Sequence, residues 1–386
     1  MQQTQAMENR LKSLIEANGP ANRAKWAQQW KGQGKKVIGT LCSYVPEEVI
    51  YAAGMLPWRM SGAWREAVPL AETYRPAMTC RYCSHVLESV LAGELDFLDG
   101  VVSTQRDDDF KRLWDVLDSL DRPPATYIMY LPFISTDITL PMWVKSIAQL
   151  KQDMEELAGV KVTEQGLRHA IEVYNTMRTL LTRVYELRKR EVPPLTGAEV
   201  LGLTTAATVM SKDDFNRELE ALLPYLETRK ASLKQLRPRL LVTSDMLDNP
   251  AYLKLVEDVG CLVAMDDLDT GSRYFWDTVD LSKDGLLPAL AQRYFARPAC
   301  PRMVNWPEQA EQIIQWVKDF SIDGVLELRQ LYSLPRDFRI VFLRDRLTGA
   351  GIPNISFSRE YHLAHEGMLR TRIGAFMEML QARAAP

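Results

Sequence analysis

The chain has 386 residues, 46% of them hydrophobic and 25% charged, with a formal net charge of −3. That length exceeds one ordinary hydrophobic core, so two or three domains are expected. The charge gives no ground for a nucleic acid or a membrane surface as partner, and no apolar run reaches the roughly 18 residues of a spanning helix. The polar start lacks the basic-then-apolar pattern of a secretion signal. Five cysteines (Cys42, Cys80, Cys83, Cys261 and Cys300) are too few, and odd in number, for a disulfide framework, which points to a reducing, cytoplasmic setting. Four histidines supply little for a metal site or a nucleophile system.

Residues 5–31 read as a helical arm, with Leu11, Leu14 and Ile15 on one face and Trp26 and Trp30 one turn apart. An α/β alternation follows. A short buried strand at Lys36 to Cys42 leads into a helix from Val45 to Gly54. Pro46 and two Glu suit that helix's first turn, and Gly54 suits its end. Next come a strand from Met55, a helix from about Cys80 and a strand over Phe97 to Ser103. A helix from Asp107 to Leu120 and a strand from Thr126 complete this part. Such a repeat implies a parallel sheet with helices on its faces. Helical stretches at 142–158, 164–190 and 212–234 come next, with Pro193-Pro194 between the last two. The α/β pattern then restarts with strands at 239–245, 261–267, 324–328 and 352–357. Helices are expected at 249–259, 307–320, 335–350 and 368–384. The expected fold class is α/β, with two Rossmann-like parallel-sheet lobes and a helical insert. The expected units are an arm (1–34), a first lobe (35–141), a helical region (142–236) and a second lobe (237–386).

Ligands bind beyond the carboxyl ends of the strands in such sheets. Cys80-Arg81-Tyr82-Cys83 opens a helix, where the dipole and Arg81 favour a thiolate. A redox dithiol, a zinc pair and a share of an iron–sulfur site are all open, although no second Cys pair exists. Asp107-Asp108-Asp109 can hold a hard cation or cap a helix. Asp266-Asp-Leu-Asp-Thr-Gly-Ser-Arg273 is more than a turn requires, and makes Asp269 and Arg273 candidate site residues. There is no Walker or dinucleotide fingerprint. His362 and His365 read as surface residues.

Several segments in order carry a resemblance. They are Val45-Pro-Glu-Glu-Val-Ile-Tyr-Ala-Ala-Gly-Met-Leu-Pro57, then Cys80 ahead of Asp96-Phe-Leu-Asp-Gly-Val-Val102, then Asp266 to Phe275. Met303-Val-Asn-Trp-Pro307 with Phe320-Ser-Ile-Asp-Gly-Val325 follows, and last come Gly351-Ile-Pro353 and Arg370 to Leu380. The chain resembles subunits of the 2-hydroxyacyl-CoA dehydratase and benzoyl-CoA reductase family. The resemblance implies a heterodimer of related subunits acting on CoA thioesters, and an ATP-dependent iron–sulfur activator that donates single electrons. It also implies a [4Fe-4S] cluster held by three cysteines in each subunit of the pair. Carried onto this chain, the ligand positions are Cys80, Asp107 and Ser333 (beside Tyr332), so one thiolate remains. Cys83 or Cys300 would have to substitute in space. Cys80 is the one implied iron ligand, and Arg273, Asp269 and Ser333 are the candidates for catalysis.

Three roles are open. The first is a subunit that shapes the active site while its partner carries the cluster. The second is a subunit with an altered cluster, and the third a non-catalytic structural or assembly subunit. Within the first, a reductase is preferred to a dehydratase on the run Tyr74-Arg-Pro-Ala-Met-Thr-Cys80 and the chain length.

Overall fold

A computed structural model describes residues 2–229 and 238–384. The arm is two helices, α1 (Gln2–Ile15) and α2 (Arg23–Lys31), broken where Gly19-Pro20 interrupts the helical pattern. The Trp26 indole N–H donates to the Ala17 carbonyl (3.1 Å) and ties the two together.

The first sheet is all parallel, in the order β2-β1-β3-β4. It runs through β1 (Val37–Thr40), α3 (Glu47–Ala52), β2 (Leu56–Arg59), α4 (Arg81–Leu91), β3 (Gly100–Thr104), α5 (Asp108–Ser119) and β4 (Thr126–Met129). Every residue of β1, β2 and β3 is buried, the polar Thr40, Arg59, Ser103 and Thr104 at their carboxyl ends included, so these strands show no alternation of apolar and polar residues. Register is set by Val37 opposite Leu56 and Ile38 opposite Gly100.

Four helices follow: α6 (Leu140–Ala158), α7 (Glu164–Leu187), α8 (Gly197–Ala206) and α9 (Lys212–Thr228). The last residues of the expected third helix, 230–234, lie outside those described. Helix α8 is absent from the sequence reading. It is buried from Val200 to Ala206, Thr204 and Thr205 included, so it has no exposed polar face to give it a helical period. Its start is nevertheless locally encoded: Thr196 and Glu199 form a reciprocal capping box.

The second sheet repeats the first, in the order β6-β5-β7-β8, again all parallel. It comprises β5 (Arg239–Ser244), α10 (Ala251–Glu257), β6 (Leu262–Asp267), α11 (Ser272–Phe275), α12 (Leu286–Ala296), α13 (Trp306–Asp319), β7 (Gly324–Gln330), α14 (Leu334–Gly349), β8 (Asn354–Arg359) and α15 (Glu366–Ala384). The two Rossmann-like lobes expected from the alternation are therefore present. Among the described residues no helix is long and apolar enough to cross a membrane.

Helix α12 does not stay with the second sheet. It packs on α6, with Phe295 stacked on Trp143 at 6.2 Å between ring centroids. Leu290 and Phe295 share a core with Ile38, Val49 and Trp143 of the first half. The chain must then return to α13 beside the second sheet. That return, residues 297–305, runs between the lobes and carries Arg297, Cys300 and Arg302 into the interface, all buried.

Candidate functional site

In a sheet of this order the connections leave the first strand in opposite directions, and a crevice opens at the carboxyl ends of the two central strands. In the first lobe those ends carry Cys42 and Ser43 after β1, and Arg106 and Asp107 after β3. In the second they carry Asp245 after β5, and Gln330 to Ser333 at and after β7. The crevices meet. The Gln330 side-chain amide donates to the Cys80 sulfur (3.1 Å), and the Ser43 hydroxyl donates to Asp269 (2.7 Å).

Arg302 stands at the meeting point, 7% exposed. Its Nε donates to the Asp107 carboxylate, its Nη1 to Asp245 (3.2 Å) and its Nη2 to the Ser333 hydroxyl (3.2 Å). Cys300 Sγ lies 4.0 Å from Nη1. Burial works to raise the Asp107 and Asp245 carboxyls, but Arg302, foremost among the cations around them, holds both below the usual carboxylate range. Asp107 is also the cap of α5, accepting from the Phe110 N–H (3.0 Å). The aspartate run thus serves its helix, and Asp109 accepts from Arg75 (2.6 Å) and from the Cys80 N–H (3.2 Å).

Cys80 is the residue before α4, and Cys83 is one turn in; both are buried. The Cys83 thiol hydrogen-bonds Cys80, and that bond, outweighing burial, holds the Cys80 thiol below its ordinary range. Burial pushes Cys83 well above it.

The Asp266–Arg273 segment is folded on itself. Arg273 donates through Nη1 to the Asp267 backbone carbonyl (2.9 Å) and through Nη2 to the Ser244 carbonyl (2.7 Å), joining the ends of β5 and β6, and it forms an ion pair with the Asp267 carboxylate (Nη1–Oδ1 2.8 Å). Asp266 accepts from the Ser272 N–H (2.8 Å), and a Cβ at Gly271 would come within 2.1 Å of its carboxylate and displace it. Asp269 accepts from Ser43 and Arg59 across the interface. Burial opposes its charge, but Arg106, Arg59, Arg273 and Arg297 hold it far below the usual range. His362 is half-buried with its ring 5.4 Å from that of His85, whereas His365 is exposed.

The structure therefore brings Cys80, Asp107 and Ser333 to one place, with Cys83 behind Cys80. It sets Asp269 and Arg273 in the same interface, but Asp269 accepts from Ser43 and Arg59, and Nη1 and Nη2 of Arg273 donate to the Asp267 and Ser244 carbonyls. Sequence reasoning missed Arg302, Arg59 and Gln330. The only local signal for Arg302 was the proline-bounded run Arg297-Pro-Ala-Cys-Pro-Arg302.

These residues do not fit a [4Fe-4S] cluster. One thiol, one carboxylate and one hydroxyl stand at the positions where the resemblance implies three thiolates, and an arginine already binds two of the three. Among the described residues no group of three His, Cys, Asp or Glu side chains is placed to hold a metal ion.

Two parallel α/β lobes of identical strand order, joined at their strand ends by a buried polar interface, define a two-lobed α/β protein with its centre between the lobes. The family model for the 2-hydroxyglutaryl-CoA dehydratase D-component matches residues 42–380, and the chain belongs to that family. It is 27% identical to the beta subunit of (R)-2-hydroxyglutaryl-CoA dehydratase from Acidaminococcus fermentans, over 91% of this chain and 94% of the relative. It is 26% identical to one of the subunits of benzoyl-CoA reductase from Thauera aromatica, over 92% and 94%. It is 24% identical to the (R)-phenyllactyl-CoA dehydratase beta subunit of Clostridium sporogenes, over 96% and 98%.

Proposed function

We propose that this chain is the cluster-free subunit of a heteromeric CoA-thioester enzyme, benzoyl-CoA reductase-like, whose related partner holds the iron–sulfur chemistry. The observation that carries the reading is Arg302 bound to Asp107 and Ser333 at the centre of a family fold. Dehydration of a 2-hydroxyacyl-CoA is the second reading, favoured by the dehydratase beta subunits among the relatives. In either case the electrons come from a separate ATP-dependent activator, and no step of the reaction runs through a metal on this chain. Its own residues keep the interlobe centre charge-balanced and closed to water.

The surface supports association with a partner. Helix α14 starts at the site and exposes Leu334, Phe338 and Val341 along one side. Val304, Phe133 and Ile134 add to the exposed apolar area, the first two joined by a backbone hydrogen bond (2.6 Å). Exposed apolar area of this kind beside a functional centre is characteristic of a docking face.

The test is anaerobic co-expression with a related, three-cysteine subunit. The pair is expected to co-purify and, with an ATP-driven donor, to turn over benzoyl-CoA or a 2-hydroxyacyl-CoA. The partner alone should lose at least about a hundredfold in rate, as when one group that completes a site is removed. Equal turnover by the partner alone would sink the assignment.

A further inference from the structure

We propose that Arg302 is the built-in occupant of the place where a metal centre would sit, and that its guanidinium excludes iron from this chain while latching the two lobes together. The inference rests on the family reading above and deepens it, by assigning the lack of a cluster to one side chain, Arg302.

The first observation is convergence. Cys80 precedes α4, Asp107 caps α5 and Ser333 precedes α14, three separate elements on two lobes. Arg302 hydrogen-bonds Asp107 and Ser333, and its charge is close enough to act on the Cys80 thiol. The second is directionality. A guanidinium has donors in a planar fork and no acceptor, so a side chain whose forks meet two carboxylates and a hydroxyl is well satisfied without any further ligand. The third is delivery. Arg302 arrives on the 297–305 return from α12, which is anchored by Phe295 on Trp143 of α6 in a core shared with Ile38 and Val49 of the first lobe. The arginine therefore cannot swing out without moving that return segment.

An ordinary buried ion pair would also explain the contacts taken singly. It does not explain why one cation joins Asp107 of the first lobe to Asp245 and Ser333 of the second, with Cys80 alongside. A cation there is the foremost of the positive charges that balance two buried carboxylates. With it in place, the hydroxyl and carboxylate offer no free ligand position, and a lone thiolate does not assemble a cluster.

The experiment uses the full-length chain alone and reads iron, so its outcome is separate from whether a complex turns over a CoA thioester. Four proteins are incubated anaerobically with ferrous iron, sulfide and thiol reductant, then desalted. They are the wild type, Cys80→Ser, the double variant Asp107→Cys/Ser333→Cys, and the triple variant that adds Arg302→Ala. Wild type and double variant are expected to retain no more iron than Cys80→Ser. The triple variant, now with three thiolates and no guanidinium, is expected to retain at least about tenfold more and to absorb near ~400 nm, as thiolate-ligated clusters do. Wild-type iron that Cys80→Ser removes would overturn the proposal, as would a double variant that loads as fully as the triple, or a folded triple variant that loads none. If circular dichroism shows the triple variant unfolded, the comparison of wild type and double variant with Cys80→Ser still decides.

Discussion

His85 sits on the inner side of α4, where its Nδ1 faces the Gly62 carbonyl (3.3 Å) and its ring packs edge-on against Tyr361 and at a tilt on His362. Burial, helped by the charges of His362, Arg81 and Arg65, lowers its pKa from 6.5 to about 4. The folded chain thus holds a neutral imidazole where the unfolded chain holds a protonated one between those two values. The unfolded state binds the extra proton in that window, so stability falls as pH drops from about 6.5 towards 4, and is unaffected by this group above it. The full shift is worth on the order of 3 kcal/mol. Urea unfolding at pH 7 and pH 5 should show the loss, and His85→Phe should flatten it. A pH dependence unchanged in the variant would show that other groups cause it.

Among elements, α4 is the one whose position the site most depends on, because it carries Cys80 at its start. It approaches the β2–α4 connection so closely that a Cβ at Gly62 would lie 2.5 Å from the His85 carbonyl oxygen. The obstruction is backbone and cannot rotate away. Gly62→Ala should therefore cost about 1–3 kcal/mol, the range for overpacking, measured by denaturant unfolding. It should also make the Cys80 thiol more reactive towards a maleimide, since the helix must move to make room. An alanine variant of unchanged stability would mean that the contact is loose. Helix α5 shows the opposite dependence: its start is fixed locally by Asp107, whose second oxygen is left to reach Arg302. One carboxylate closes a helix and binds a lobe-bridging cation, which is why Asp107 was legible as a cap and illegible as a partner.

At the scale of the whole molecule, two lobes of the same strand order are held by charged groups buried at their shared strand ends. An arrangement of this kind is sensitive to loss of a single partner, since an unpaired buried charge is far costlier than a pair. The outside is different. Phe338 on α14 is 74% exposed, and the helix has no cover from the described residues on that side. Phe338→Glu should leave the chain's thermal unfolding within about 0.5 kcal/mol of wild type, as surface substitutions do. The same change should reduce co-purification with a related subunit at least tenfold, a coupling loss of about 1.4 kcal/mol. Retained co-purification would move the interface to another face.

The alternation of strands and helices in both halves, the parallel sheets and the cap at Asp107 were all legible in the sequence. They depend on local matters: apolar runs, glycine and proline at helix ends, and a carboxylate placed three residues from a free N–H. The ordered segments of the family and the position of Cys80 were legible too. Helix α8 was not, because it lacks an exposed polar face, nor was α12, whose partner is a helix far earlier in the chain. What occupies the centre is a matter of tertiary packing alone. Asp107 and Arg302 are 195 residues apart, and they meet because α12 crosses to the first lobe and the chain has to return between the two. No local period encodes that route, and the chemistry available at Cys80 follows from it.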